Sequence, residues 1–166
     1  MPIRPIVTMS GLRLGTASVA FTSIDERALA LAVDLIDTMR DSPACVGLAA
    51  PQIGVELRAF SLDCSSHKKT NVCHGEFVMF NPVILALEGE DQAREGCMSV
   101  PDLTGDVPRA YSIVVEGLDV RGEPLRIESE GFEARALQHE IDHLNGLLFL
   151  DRVQSPSGLH QRRVYR

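Results

Sequence analysis

Apolar residues recur at every third or fourth position in two stretches of the chain, which is the spacing of an amphipathic helix. The first stretch follows Ser23–Glu26, whose Ser-x-x-Glu pattern is that of a capping box. It should extend to about Arg40, because Ser42-Pro43 is expected to end a helix. The residues of its predicted buried face are Leu29, Val33, Ile36 and Met39.

The second stretch predicts a helix from about Gly131 to Asn145. Gly146 stands where such a helix would end, since glycine is favoured just beyond a helix C-terminus. The apolar residues with helical spacing are Ala134, Leu137, Ile141, Leu144 and Leu148.

Four segments between these two stretches predict strands, and turn signals lie between them. The predicted strands are Leu57–Asp63, Glu76–Phe80, Val83–Leu87 and Ile113–Leu118. Asn81-Pro82 and Arg121-Gly122-Glu123 predict turns. Strands grouped ahead of a terminal helix indicate an α+β fold, in which antiparallel β-sheets pack around the C-terminal helix and one further helix lies near the N-terminus.

The length of 166 residues and the hydrophobic content of 45% favour a single globular domain over residues 1–166, with a short basic tail from about residue 153. No apolar run is long enough to cross a membrane, and the first residues lack the pattern of a secretory leader, so we expect a cytoplasmic protein. The net charge of −7 argues against a dedicated nucleic-acid-binding protein.

The second predicted helix contains a His-Glu-x-x-His motif at His139, Glu140 and His143. Histidines four residues apart lie on one face of a helix, where two imidazoles can bind one divalent metal ion. Glu140 lies between them and can reach a water on that ion, which is the layout of a metal-activated hydrolase. The alternative is a pair of half-buried histidines beside solvated carboxylates.

Two further stretches offer candidate groups for such a site. Cys97, within Glu95–Pro101, is a candidate thiolate ligand, although a free cysteine is more often a buried structural residue. The small apolar segment Val46–Gly54 carries Gln52, whose side-chain N–H can stabilise a developing oxyanion. The same segment also fits a tight turn between a helix and a strand.

Together the three stretches resemble the peptide deformylase family. The three motifs of that family correspond here to Cys45–Gln52, Glu95–Ser99 and Gln138–His143, in the family's order, and the likeness extends from about Ile6 to about Arg152. The resemblance implies a metal-dependent hydrolase that removes the N-formyl group from the N-terminal methionine of newly synthesised polypeptides and releases formate.

The resemblance also implies the roles of the site residues. The implied metal ligands are Cys97, His139 and His143. The implied ion is Fe²⁺, which Zn²⁺, Ni²⁺ or Co²⁺ can replace. Glu140 would accept a proton from water and return it to the leaving amine. The side chain of Gln52 and the backbone N–H of Met98 would stabilise the oxyanion.

Substrate contacts are expected from main chain and from apolar side chains. The stretch Val46, Gly47 and Leu48 can pair with an extended peptide as an added strand. The candidate walls of a methionine pocket, whose other role would be ordinary core, are Val46, Phe132, Ala136 and the stem of Arg135. Around the ligands, Gln138 is expected in an outer layer, and an ion pair of Glu95 with Arg109 is expected to brace the Cys97 loop.

The chain departs from the family's pattern at three positions. Cys45 stands where the family usually has glycine, at the expected entrance of the substrate site. Thr104 falls near a place where some relatives carry an arginine, so contact with the far end of the peptide is expected to be weaker. Met98 replaces a leucine, which conserves volume.

Two other functions stay open at this point. One is a deformylase-like protein with altered or no turnover that binds formyl peptides or metal, which Cys45 alone favours. The other is a zinc metallopeptidase, whose third ligand usually lies downstream of the helix; only His160, and no glutamate, follows His143.

Two polar regions are left without an assigned role. One carries Cys64, Cys73, His67 and His74. It predicts either a second metal site, with a spacing that matches no common zinc pattern, or a polar loop around residues 65–71. The other is the basic tail with Arg162, Arg163 and Arg166, which is either a solvated terminus or a site of transient contact with the ribosome.

Overall fold

The computed structural model describes residues 3–9 and 14–162. Its two α-helices are α1 (Glu26–Asp41) and α2 (Gly131–Leu144). Its strands are β1 (Gly47–Ala49), β2 (Ala59–Leu62), β3 (Phe77–Glu88), β4 (Asp91–Cys97), β5 (Val100–Arg109), β6 (Ser112–Leu118), β7 (Pro124–Glu130) and β8 (Leu159–Gln161). Short 3₁₀ helices cover Ala50–Ile53, Phe149–Arg152 and Pro156–Gly158.

The strands form two antiparallel sheets, with the orders β1-β2-β3-β6-β7 and β4-β5-β8. Helix α2 packs its apolar stripe on the first sheet, where Leu137 and Ile141 share a buried core with Phe60 and Val115. Helix α1 packs on the same sheet through a second core that includes Leu35 and strands β2 and β3. The predicted α+β fold is therefore confirmed, and the C-terminal helix lies at its centre.

Helix α1 buries a face that overlaps the predicted one only in part, since Met39 is buried and Ile36 packs against the same core. Leu29 and Val33 are 41% and 39% exposed, so their assignment to the core is wrong. The buried stripe consists of Ala28, Leu31, Ala32, Leu35 and Met39. Two alanines in this stripe let the helix approach the sheet closely. The helix also begins differently, because Asp25 Oδ1 accepts hydrogen bonds from the N–H groups of Arg27 (3.0 Å) and Ala28 (3.1 Å) in place of a Ser-x-x-Glu capping box.

Strand β3 continues through the predicted turn at Asn81-Pro82, so that prediction is wrong. Asn81 has a φ of 49°, and the pairing of β3 with β6 shifts register between Phe80 and Val83. The Asn81 side chain donates to the carbonyl of Phe21 (2.9 Å) and accepts from its N–H (2.8 Å). Asn81, which the sequence pattern assigns to a turn, therefore lies at a β-bulge. The predicted turn around Gly122 does connect β6 to β7.

The sequence pattern predicts none of β4, β5 and β8, which form the second sheet. Strand β4 is polar along most of its length, and β5 contains two prolines, so neither shows the pattern of a buried strand. Strand β8 lies inside the predicted tail and pairs with β5.

Over the described residues, no helix is long and apolar enough to span a membrane.

Candidate metal centre

The three candidate ligands meet where α2 passes the end of β4. Helix α2 carries His139 and His143 one turn apart, and β4 ends at Cys97. Cys97 Sγ lies 3.4 Å from His143 Nε2, and the ligand atoms of all three residues lie within 4.8 Å of one another. Tetrahedral bonds of about 2.3 Å to sulfur and about 2.1 Å to nitrogen would place neighbouring ligand atoms about 3.3–3.6 Å apart. The cluster therefore fits one divalent metal ion.

Glu140 lies beside this cluster and is almost completely buried, with 4% of its surface exposed. Its Oε2 has no hydrogen-bond partner, which is unfavourable for a buried oxygen and fits a site that receives a polar ligand. Burial raises the pKa of Glu140 to about 7. A Cβ atom at Gly47 would lie 2.6 Å from Glu140 Oε1, so only glycine leaves room for the carboxylate here.

A buried carboxylate, Glu95, connects the ligands to the surrounding structure. Glu95 Oε2 lies 2.9 Å from His139 Nδ1. Arg109 donates to both Glu95 oxygens, at 2.5 and 2.9 Å, and Arg135 donates to Oε1 at 2.8 Å. Arg109 also donates to Asp142 at 2.9 Å. The expected ion pair of Glu95 with Arg109 is thus present, within a larger network.

This network determines the charge of Glu95. Burial alone would raise its pKa, but the hydrogen bonds and charges of His139 and Arg109 hold the pKa well below its usual range. Glu95 is therefore ionised, and its Oε2 accepts a hydrogen bond from the protonated Nδ1 of His139. That arrangement leaves Nε2 of His139 free to bind a metal ion.

The side chain of Gln52 lies next to Cys97, and three hydrogen bonds hold it there. Its Oε1 accepts from the N–H of Ala49 at 2.9 Å, and its Nε2 lies 3.4 Å from Cys97 Sγ and 3.2 Å from Ser99 Oγ. The amide N–H groups therefore point toward the thiol side of the cluster. Met98 is partly buried and lines the same cavity.

A cavity of about 350 Å³ opens onto the cluster. The predicted substrate-binding residues that line it are Cys45, Val46, Gly47, Phe132, Arg135 and Ala136. Leu48 does not line it, because its side chain is fully buried in the core beneath α1. Gln138 points away from it and bonds the N–H and carbonyl of Ala110, which ties α2 to the β5–β6 connection.

Among the described residues, no strand pairs with the edge of β1 that faces away from β2, and Val46 and Gly47 line the cavity. The main-chain N–H and C=O groups of Val46 and Leu48 point toward β2, since the Val46 carbonyl accepts from the N–H of Asp63 at 2.8 Å. Main-chain groups alternate in direction along a strand, so those of Gly47 point away from β2. The Cys45 thiol donates to the Gly47 carbonyl at 3.1 Å. Burial raises the pKa of Cys45 to about 12, so the thiol keeps the proton that it donates.

The sequence analysis gave no role at the site to Asp142, although it lies inside the third motif, or to Arg152 and Arg162, which follow that motif. Asp142 also binds Arg152, at 2.8 Å. Arg162 lines the cavity, and its Nη2 lies 3.5 Å from the Cys97 carbonyl. Arg163 and Arg166 of the same predicted tail lie outside the described residues.

The second metal site considered for Cys64, Cys73, His67 and His74 is not formed. Within residues 3–9 and 14–162, the one cluster of at least three potential ligand side chains is the one described above. His67 instead stacks on Phe132, and His74 binds Glu133.

The chain is similar to known proteins over most of its length. Residues 3–158 match the family model of polypeptide deformylase. The chain is 42% identical to a peptide deformylase of Halothermothrix orenii over 92% of this chain and 95% of the relative. It matches the crystal structure of a Legionella pneumophila peptide deformylase with a TM-score of 0.84 and 42% identity, over 95% of this chain and 89% of that one. A Met-Ala-Ser-bound peptide deformylase from Acinetobacter baumannii matches with a TM-score of 0.84 and 31% identity, over 92% and 99% of the two chains.

Replacing Arg109 should destabilise the protein strongly. Arg109→Met leaves the buried charges of Glu95 and Asp142 without their shared partner, so we expect the free energy of unfolding to fall by about 3 kcal/mol. Arg126→Met is the matched control, because its exposed pair with Glu128 contributes little, and it should change stability by less than about 0.5 kcal/mol. Urea denaturation measures both; similar losses for the two variants would contradict this account of the network.

Proposed function

Because this chain belongs to the polypeptide deformylase family, we propose that Cys97, His139 and His143 hold its catalytic metal ion and that Glu140 transfers the protons of the reaction. The protein is a hydrolase that removes the N-formyl group from newly synthesised polypeptides, releasing formate. The observation that carries the residue assignment is the position of a buried glutamate beside a Cys/His₂ cluster in one cavity.

When bound, a divalent ion supplies Lewis-acid chemistry, polarising a carbonyl and lowering the pKa of water toward neutrality. Glu140 accepts the proton that water loses on attacking the formyl carbon, and it then delivers this proton to the leaving amine. Burial raises the pKa of the Glu140 carboxyl, so the group holds a proton more readily than an exposed carboxyl, which suits a residue that both accepts and returns one. The side chain of Gln52 and the main-chain N–H of Met98 are proposed to stabilise the oxyanion.

The protein uses a divalent metal ion, and Fe²⁺ is the ion that we propose for the cell. One thiolate and two imidazoles also suit Zn²⁺, Ni²⁺ and Co²⁺, which we expect to replace iron in preparations. The hydrogen bond from His139 Nδ1 to Glu95 supports metal binding by His139, because it fixes the tautomer that binds a metal ion through Nε2.

The proposed substrate is an N-formylmethionyl peptide that pairs with the outer edge of β1. The Gly47 carbonyl and the apolar walls of Val46, Phe132 and Ala136 support this position. A related enzyme was solved with Met-Ala-Ser bound, which is the product of such a reaction.

We further propose a cytoplasmic location, no dedicated nucleic-acid binding, and transient contact with the ribosome through the basic C-terminal residues.

The zinc metallopeptidase finds no support in this geometry. Its third ligand would have to follow the helix, yet His160 lies on β8 and binds Asp106 Oδ2 at 3.0 Å. The alternative of a deformylase-like protein with altered turnover depends on Cys45, whose thiol donates a hydrogen bond to the Gly47 carbonyl. A peptide N–H would either share the Gly47 carbonyl with that thiol or displace it, which favours a changed substrate affinity over a loss of chemistry.

Glu140→Gln should lower kcat for formate release from formyl-Met-Ala-Ser by about 10²–10⁴-fold, because the carboxamide cannot take up the proton. The assay uses anaerobically purified, Fe²⁺-loaded protein, and the metal content of the variant should equal that of the wild type. Glu123→Gln, at an exposed carboxylate in the β6–β7 turn, should leave kcat unchanged. A Glu140→Gln variant with wild-type kcat would exclude the proposed role.

Gly47→Ala should reduce kcat/KM for the same substrate by about 10²-fold, because the added methyl group displaces the Glu140 carboxylate. Gly15→Ala is the control, since a Cβ there meets no atom within 4 Å. If Gly47→Ala were as active as Gly15→Ala, the tight contact between Gly47 and Glu140 would have no bearing on catalysis.

A further inference from the structure

The segment between β2 and β3, residues 63–76, contributes His67 to the lining of the catalytic cavity. Its first turn is closed by the Cys64 carbonyl, which accepts from the N–H of His67 at 3.1 Å and from Thr70 Oγ1 at 2.8 Å. The Cys64 side chain itself is fully buried in the core beneath α2. The segment is therefore anchored where it leaves β2.

The imidazole of His67 lies flat against the Phe132 ring. The two centroids are 3.8 Å apart, and the ring planes differ by 5°. The N–H of Lys69 donates to His67 Nδ1 at 3.2 Å, which orients the ring and places its proton on Nε2. Burial, together with the charge of Lys69, lowers the pKa of His67, so the stacked ring is neutral.

The far end of the segment is held by a fully buried carboxylate on α2, that of Glu133, the residue next to Phe132. Glu133 Oε2 accepts from the N–H of His74 at 2.8 Å, and Oε1 bonds His74 Nδ1 and Ser129 Oγ. Both ends of the segment are thus fixed, and the stacked pair His67–Phe132 is a built wall of the cavity.

This wall lies at the end of the cavity away from the metal ligands. Phe132 precedes His139 by seven residues on α2, which corresponds to about 10 Å along the helix. His67 also lines a neighbouring cleft of about 660 Å³, together with residues 43–46. The His67 ring therefore lies between the catalytic cavity and that cleft and separates them.

We propose that His67 is a specificity-determining residue that closes the pocket for the first side chain of the substrate and limits the length of that side chain. The inference rests on the proposed function, because it takes the cavity to hold a formylated peptide. A methionine thioether is suited to such a wall, since sulfur makes favourable contacts with aromatic rings. A longer unbranched side chain would meet the stacked rings, whereas an alanine at position 67 would let it pass into the neighbouring cleft.

The test compares two side chains that differ only in length. Peptides Xaa-Ala-Ser carry either norleucine, which matches methionine in length, or 2-aminooctanoic acid, which is two carbons longer. Calorimetry gives Kd for the unformylated peptides with the metal-loaded protein, and formate release gives kcat/KM for the formylated ones. Wild-type protein should prefer norleucine by at least about tenfold in both measurements.

His67→Ala should abolish or reverse this preference, because two further buried methylene groups favour the longer side chain by about tenfold once space is open. The change should fall on KM and Kd, with kcat for the norleucine substrate nearly unchanged. His67→Phe keeps a ring on Phe132 and should keep the wild-type preference. Lys68→Ala, at an exposed neighbour, should also keep it, and thermal melting of each variant checks that it is folded.

The outcomes separate this inference from the proposed function. If His67→Ala retains the wild-type preference in Kd and in kcat/KM, the inference is overturned even though deformylation stands. If no variant releases formate but His67→Ala still relaxes the preference in Kd, the inference stands and the proposed function fails. A folded His67→Phe that loses the preference as His67→Ala does would also contradict a role for the stacked ring.

Discussion

The candidate metal centre depends on one buried carboxylate with three partners. Glu95 on β4 binds Arg109 on β5, and it binds Arg135 and His139 on α2, so a single side chain joins the second sheet to the central helix. A buried carboxylate is costly unless it is paired and hydrogen-bonded, and here every partner is a donor. The same bonds that satisfy the charge also fix the positions of β4, and hence of Cys97, relative to His139.

This dependence explains why the ligands can come from parts of the chain 42 residues apart. Helix α2 alone sets the spacing of His139 and His143, but the third ligand must be delivered by a strand of a different sheet. Gly47 on β1 completes the site from the first sheet, because its missing side chain leaves space for Glu140. The proposed reacting groups therefore lie where both sheets meet the helix, and rigid elements hold each of them.

Helical periodicity predicted the local part of the site, whereas the distant members Cys97 and Gln52 and the Glu95–Arg109 pair were expected from the resemblance to the family. His139, Glu140 and His143 follow one helical period, and the packing of α2 agrees with that period, so the motif could be placed on the correct element. The exposed positions of Leu29 and Val33 show the limit of periodicity, because a second stripe with two alanines fits the sheet better than the stripe of larger residues. The hairpin of β4 and β5 was missed because its buried polar residues satisfy each other and leave no apolar pattern. His67 could not be found either, since its stack on Phe132 joins residues that no local signal relates.

The central claim is that Cys97, His139 and His143 together bind one metal ion on this scaffold. X-ray absorption spectroscopy of Zn²⁺-loaded protein tests it directly, with Cys97→Ser measured beside the wild type. We expect about one zinc per chain, with one sulfur neighbour at about 2.3 Å and nitrogen or oxygen neighbours at about 2.0–2.1 Å. The sulfur contribution should vanish in Cys97→Ser. A wild-type spectrum without sulfur, or one with two sulfur neighbours that persists in the variant, would contradict the account.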